Sequence, residues 1–177
     1  PTSIELHKHD LPNSLLFESA VAVDTETQGL NYQRDRLCTV QVSSGDGICH
    51  VVQFSPRMYD APNMKALLTN PKIIKIFHYA RFDISILKKY LQVIVEPVFC
   101  TKIASKLVRT YTSSHGLKDL TRELLKIDLS KEQQSSDWAS ENLSHAQLNY
   151  AANDVLNLHL LYDKLKTMLE FNLELLK

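Results

Sequence analysis

The stretch from Ala20 to Leu30, AVAVDTETQGL, constrains this chain more than any other. Four apolar residues, Ala20-Val21-Ala22-Val23, run straight into Asp24-Thr25-Glu26. A short uninterrupted apolar run of this kind reads as a strand buried on both faces. In an extended chain, residues two apart point the same way, so Asp24 and Glu26 share one side. Two carboxylates ending a buried strand repel each other and lose hydration. A divalent cation would offset that cost. Gly29 then lets the backbone turn away.

The remaining chain is expected to form one domain over residues 1–177, a length sufficient for a sizeable core. Lys plus Arg and Asp plus Glu each number 20, so the formal net charge is zero. This balance counts against a protein that coats nucleic acid by bulk charge, but it allows a local acidic site with a basic rim. The cysteines, Cys38, Cys49 and Cys100, are odd in number and widely spaced. They suggest neither a disulfide framework nor a zinc ribbon, and they point to a reducing compartment, the cytoplasm. With no signal peptide and no apolar run near about 18 residues, neither secretion nor membrane spanning is expected.

Further strands are expected at Ile4-Glu5-Leu6, Arg36 to Ser43, Ile48 to Gln53, Lys72 to Phe77 and near Pro97-Val98-Phe99. Ser44-Gly45-Asp46-Gly47 is a hairpin turn signal, so the first third reads as largely antiparallel. Helices are expected at Asn63 to Thr69, Ala80 to Tyr90, Thr101 to Val108 with Thr101 as cap, and Gly116 to Leu125. Leu11 to Ser19 is ambiguous. Ser130 to Glu141 is polar, yet holds the single tryptophan, Trp138, and reads as an ordered loop. Ser144 with Gln147 forms a capping-box pattern opening one long amphipathic helix through Leu165. The order of elements predicts an α/β fold: a mixed sheet, antiparallel in its first three strands with parallel additions, flanked by helices.

Two more acids fall inside these elements. Asp83 stands early in the helix after KIIKIF, and Asp154 stands on the last helix, four residues after Tyr150. That spacing puts Tyr150 and Asp154 on one helical face, beside an apolar stripe. Asp24, Glu26, Asp83 and Asp154 are therefore candidates for one buried acidic cluster. Hard oxygen ligands suit Mg²⁺ or Mn²⁺ rather than zinc, and a pair of such ions about 3.5–4 Å apart serves in-line attack on a phosphodiester. Each residue also has an ordinary structural reading: Asp24 in a turn, Glu26 on the surface, Asp83 in a first helical turn, Tyr150 in the core, Asp154 on an exposed helix face. His78 reads as a structural histidine. Composition and periodicity do not gather the four acids.

A resemblance does. The sequence resembles the DEDD superfamily of 3′→5′ exonucleases, in particular the ribonuclease D branch with a tyrosine in its third motif. The D-x-E motif stands as Asp24-Thr25-Glu26, the F-H-x4-D motif as Phe77-His78 and Asp83, and the Y-x3-D motif as Tyr150-Ala151-Ala152-Asn153-Asp154. His115 to Leu120 (HGLKDL) and Lys131 to Trp138 (KEQQSSDW) are also similar, and the likeness runs from about Val21 to Asp163. It implies an RNase H-like fold, two divalent cations, Mg²⁺ or Mn²⁺, and release of nucleoside 5′-monophosphates from single-stranded 3′ ends of RNA, with structured RNA or DNA as alternatives. By the same likeness Asp24 would bridge both ions. Glu26 and Asp154 would complete the site of the water-bearing one, Asp83 would hold the other, and Tyr150 would orient the nucleophile. Thr27, Gln28, Gly29 and Leu30 would border the terminal nucleotide; Gln41, His78 and Phe82 are further substrate-side candidates. Trp138 would pack the loop rather than stack on a base.

Longer members carry helical nucleic-acid-binding domains after the nuclease core. No such C-terminal domain is expected here, and processivity should be low. Arg34, Arg36, Lys75, Arg81, Lys102, Lys106, Arg109 and Lys118 are candidate phosphate contacts. Two other readings are a phosphotransferase with Asp24 as nucleophile, which lacks a convincing downstream Lys and acidic pair, and a binding module with a dead site, for which four intact acids have no use. The sequence implies no protein partner and leaves the oligomeric state open.

Overall fold

A computed structural model describes residues 3–177; Pro1 and Thr2, part of the expected domain, lie outside the described residues. The strands are β1 (Ser3–Lys8), β2 (Ala20–Thr27), β3 (Leu37–Ser43), β4 (Ile48–Gln53), β5 (Ile74–Phe77) and β6 (Val98–Cys100). They form one sheet in the order β1-β4-β3-β2-β5-β6. The helices are α1 (Pro62–Thr69), α2 (Ala80–Leu91), α3 (Thr101–Val108), α4 (Leu117–Leu125), α5 (His145–Leu156) and α6 (Leu158–Leu175).

β3 runs antiparallel to both β2 and β4, the second pairing as the hairpin signal predicts, and Gly45 and Gly47 supply the hairpin's positive φ angles, 88° and 84°. β5 adds parallel to β2, and β6 parallel to β5. β1 departs from the antiparallel expectation by running parallel to β4. Its exit crosses the α1 side of the sheet, where Leu11 is buried and both Asp10 carboxylate oxygens accept α1 backbone N–H groups, from Asn63 and Met64, at 2.9 Å. The ambiguous segment after Pro12 is thus a strap without a helix, and Asp10 caps a helix from outside it.

The alternation of β2 divides the core. Val21 and Val23 face α1 and α2, packing with Met64, Leu68, Ile86 and Leu87. Ala22 faces α5 and α6, packing with Val155, Leu158 and Leu161. The sheet is therefore covered on both faces, which is why the first half of its interior strand β2, Ala20 to Val23, is apolar on both sides.

Two local expectations are corrected. The last helix is two helices, broken at Asn157, whose side-chain amide donates to the Asn153 carbonyl at 3.2 Å and competes with the backbone ladder. Thr101 does not cap α3; its hydroxyl donates to the Phe77 carbonyl at 3.1 Å and so ties α3 to the end of β5. The Ser144–Gln147 capping box is present as predicted. No helix among the described residues is long and apolar enough to cross a membrane.

Candidate active site

β2 delivers Asp24 and Glu26 to the α5 side of the sheet, where α5 brings Asp154. One carboxylate oxygen from each of the three lies within 4.8 Å of the others. Asp83 arrives from the opposite side, in the first turn of α2. Thr25, which alternates away from Asp24 and Glu26, donates its hydroxyl to Asp83 Oδ1 at 2.5 Å. The middle residue of the D-x-E motif therefore positions the acid of the next motif. Asp83 is buried but still lines the same cavity as the other three acids.

The electrostatics match four carboxylates without a counter-charge. Burial pushes the Asp24 carboxyl up to about 7, against a backbone hydrogen bond from Thr25. Burial, then the charges of Asp24, Asp154 and Asp83, push Glu26 up to about 10. Asp83 and Asp154 are both raised well above the usual carboxylate range by burial and by Asp24; Thr25 opposes the first shift and Tyr150 the second. The Tyr150 phenol is raised by burial and by Asp154, so it stays protonated. Burial and mutual repulsion thus favour the protonated carboxyls, a cation beside them would favour the charged forms, and their all-oxygen donor set fits a hard divalent ion.

The supports of the site are equally local. Tyr150 packs against Trp138, with ring centroids 6.0 Å apart; Trp138 is 1% exposed and sits with Cys38 and Ala151. The loop tryptophan is therefore a packing residue beneath Tyr150. His78 Nδ1 lies 2.9 Å from Thr101 Oγ1. That hydroxyl gives its one proton to the Phe77 carbonyl, so His78 is the donor. Burial, then Lys102, pushes His78 down to about 4, leaving it neutral.

The substrate-side candidates separate. Thr27, Leu30, His78 and Phe82 line the cavity with the acids, and Leu30 is 89% exposed at its rim. Gln28, Gly29 and Gln41 do not line it. Gln41 is fully buried opposite Asp24 on β3, and donates to Asp24 Oδ2 at 3.4 Å while accepting from Thr39 Oγ1 at 2.6 Å. It supports a carboxylate instead of facing a nucleotide. Gly29 has no positive φ; a Cβ there would run into the Asp35 carboxylate, which accepts from Asn31 N at 2.8 Å. The glycine thus allows a close approach, not an unusual turn.

Most of the basic candidates are committed elsewhere. Lys75 is fully buried, its ammonium donating to the carbonyls of Asn70 (2.5 Å) and Glu96 (2.9 Å). Arg109 is buried against Glu123, Ser105 and Ser114. Arg36 donates to the carbonyls of Leu37 and Phe54, and Arg34 pairs with Asp35. Arg81 and Lys106 are exposed and line neither cavity beside the acids. Lys102 and Lys118 do line a second cavity that adjoins the first and shares Asp24, His78, Tyr150 and Asp154. Sequence reasoning missed Lys131, Gln134 and Tyr79 there, although Lys131 and Gln134 belong to the KEQQSSDW stretch. Tyr79 borders both cavities with φ of 61°, an uncommon conformation for a bulky residue, and Lys102 lies 4.2 Å from its ring centroid.

A family model describing 3′-5′ exonucleases matches residues 5–170. The chain belongs to the 3′-5′ exonuclease family. Among its relatives, ribonuclease D of Granulibacter bethesdensis is 33% identical over 160 residues, covering 90% of this chain and 40% of that sequence. The chain thus spans less than half the length of the ribonuclease D sequences it matches. The solved structure of Brucella melitensis NrnC with bound Mg²⁺ is similar at a TM-score of 0.92 and 52% identity, over 97% of this chain and 84% of that one. The same protein bound to pGG gives 0.93 and 53%, with the same coverage. Escherichia coli RNase D superposes at 0.75 with 26% identity, over 86% of this chain and 40% of that one. The mixed six-stranded sheet with helices on both faces is thus an RNase H-like fold shared with RNase D.

Proposed function

We propose that this protein is a two-metal 3′→5′ exoribonuclease of the tyrosine-containing DEDD branch, releasing nucleoside 5′-monophosphates from short single-stranded 3′ ends. The observation that carries the reading is the convergence of Asp24, Glu26 and Asp154 within 4.8 Å, with Asp83 and Tyr150 on the same cavity. The donor set and the raised carboxyls fit Mg²⁺ or Mn²⁺, and the Mg²⁺ in Brucella melitensis NrnC supports the choice. Asp24, Glu26 and Asp154 would hold one ion, and Asp24 with Asp83 the other. When bound, the ions lower the pKa of the attacking water and stabilise the leaving 3′ oxygen.

The chain's own residues do the rest. Tyr150, held protonated and backed by Trp138, hydrogen-bonds the attacking water without taking its proton. Thr25 and Gln41 keep Asp83 and Asp24 from rotating away. Leu30 and Phe82 border the terminal base, while Tyr79 offers an aromatic face at the junction of the two cavities. Lys102, Lys118 and Lys131 answer phosphate charge beyond the scissile bond. The pGG bound to Brucella melitensis NrnC supports RNA as short as a dinucleotide as substrate, and DNA is the alternative. The three free cysteines, unpaired among the described residues, support action in the cytoplasm.

The test is hydrolysis of a short RNA with Mg²⁺ or Mn²⁺, with products separated by chromatography. Nucleoside 5′-monophosphates are expected, and Asp24→Ala should abolish them. Equal activity in that variant would overturn the reading.

A further inference from the structure

At the far edge of the sheet lies a second group of metal-competent side chains. Glu5 and His7, two apart on edge strand β1, share a face, and the register sets Glu5 beside His50 of β4. His7 Nε2 is 3.0 Å from His50 Nδ1; Glu5 Oε2 is 3.4 Å from His50 Nδ1 and 3.9 Å from His7 Nε2. His50 is buried, and Phe17 packs edge-on to its ring at 6.4 Å.

We propose that Glu5, His7 and His50 form a binding site for a zinc-type divalent transition ion, with water as the fourth ligand. Bonds of about 2.0–2.1 Å at a tetrahedral angle separate neighbouring donors by about 3.4 Å. The three observed spacings, 3.0, 3.4 and 3.9 Å, straddle that value. Two imidazole nitrogens and one carboxylate select zinc over magnesium, which sets this site apart from the all-oxygen cluster of Asp24, Glu26 and Asp154. A ligating histidine must be neutral, so zinc binding here should weaken as the pH falls through the histidine range. β1 has a single neighbour in the sheet, so an ion bridging it to β4 would fasten an edge strand. The site acts on stability and takes no part in hydrolysis.

The experiment titrates Zn²⁺ into the Asp24→Asn protein in excess Mg²⁺, which occupies or disables the catalytic acids, using a competing chromophoric chelator. One Zn²⁺ per chain is expected, with a rise in melting temperature. His7→Ala should weaken binding by more than about 100-fold, beyond the loss usual for an outer partner of a ligand, and Glu5→Gln should weaken it measurably. Both positions have partly exposed side chains, 17% and 49%, so neither variant leaves a large cavity, and circular dichroism verifies the fold. Co²⁺ should give a four-coordinate visible spectrum that the same variants lose. Absence of zinc binding, or binding unchanged by His7→Ala, would overturn the proposal and leave the trio a hydrogen-bonded clasp.

Discussion

Replacing Asp24 by Asn should stabilise the metal-free protein at mildly alkaline pH while abolishing its response to Mg²⁺. Burial raises the Asp24 carboxyl from 3.8 to about 7. As the pH rises between these values, the unfolded chain releases its proton first and the native state binds more protons. Stability therefore falls as pH rises through this window and stays low above it. The rise corresponds to at most about 4 kcal/mol for Asp24 alone. About 2.6 kcal/mol of it falls between pH 5 and pH 8, so at roughly 2–4 °C per kcal/mol for a chain of this size the metal-free parent should melt up to about 5–10 °C lower at about pH 8 than at about pH 5. Asn at position 24 cannot ionise, and it lowers the repulsion felt by Glu26, Asp83 and Asp154. The assay is thermal unfolding followed by circular dichroism in a chelator at both pH values, then with millimolar Mg²⁺. The parent should gain stability with Mg²⁺ at about pH 8, and Asp24→Asn should not. A variant less stable than the parent at about pH 8 without cation, or a parent indifferent to both pH and Mg²⁺, would refute the repulsion among these acids.

Other perturbations follow from the same geometry. Tyr150→Phe should lower kcat about 10–100-fold, the effect of one hydrogen bond to the attacking water, with Mg²⁺ affinity by calorimetry unchanged. Trp138→Ala should cost about 3–5 kcal/mol in urea unfolding, since it empties the space beneath Tyr150. Lys131→Ala should raise KM for a short RNA about tenfold, with kcat little changed and the effect shrinking as salt is added; an unaltered KM would remove the lysine from the phosphate path.

The legible parts of this molecule are those where one residue's surroundings are set by its immediate neighbours in sequence. The apolar run into Asp24 could only be an interior strand, and the hairpin glycines turned where they had to. The motifs at Glu26, Asp83, Tyr150 and Asp154 named the acids before any contact was visible. What sequence could not reveal depends on approach from elsewhere. Lys75 reads as a surface cation, yet two carbonyls from distant turns enclose it. Gln41 reads as a ligand contact, yet its antiparallel register sets it opposite Asp24. β1 and β4 are parallel because a strap carries the chain across the sheet, a path no local periodicity encodes. Tyr79 owes its place at the junction of the cavities to a left-handed backbone that no residue preference would have assigned to it.

The most direct test is a time course on one short RNA labelled at its 5′ end in one sample and at its 3′ end in another, with Mg²⁺ present. The 3′ label should appear at once as a mononucleotide, while the 5′ label should mark a ladder shortening one nucleotide at a time, and a chelator should stop both. Early release of the 5′ label, internal cuts, or hydrolysis that persists in the chelator would contradict a metal-dependent 3′→5′ exonuclease built on Asp24, Glu26, Asp83 and Asp154.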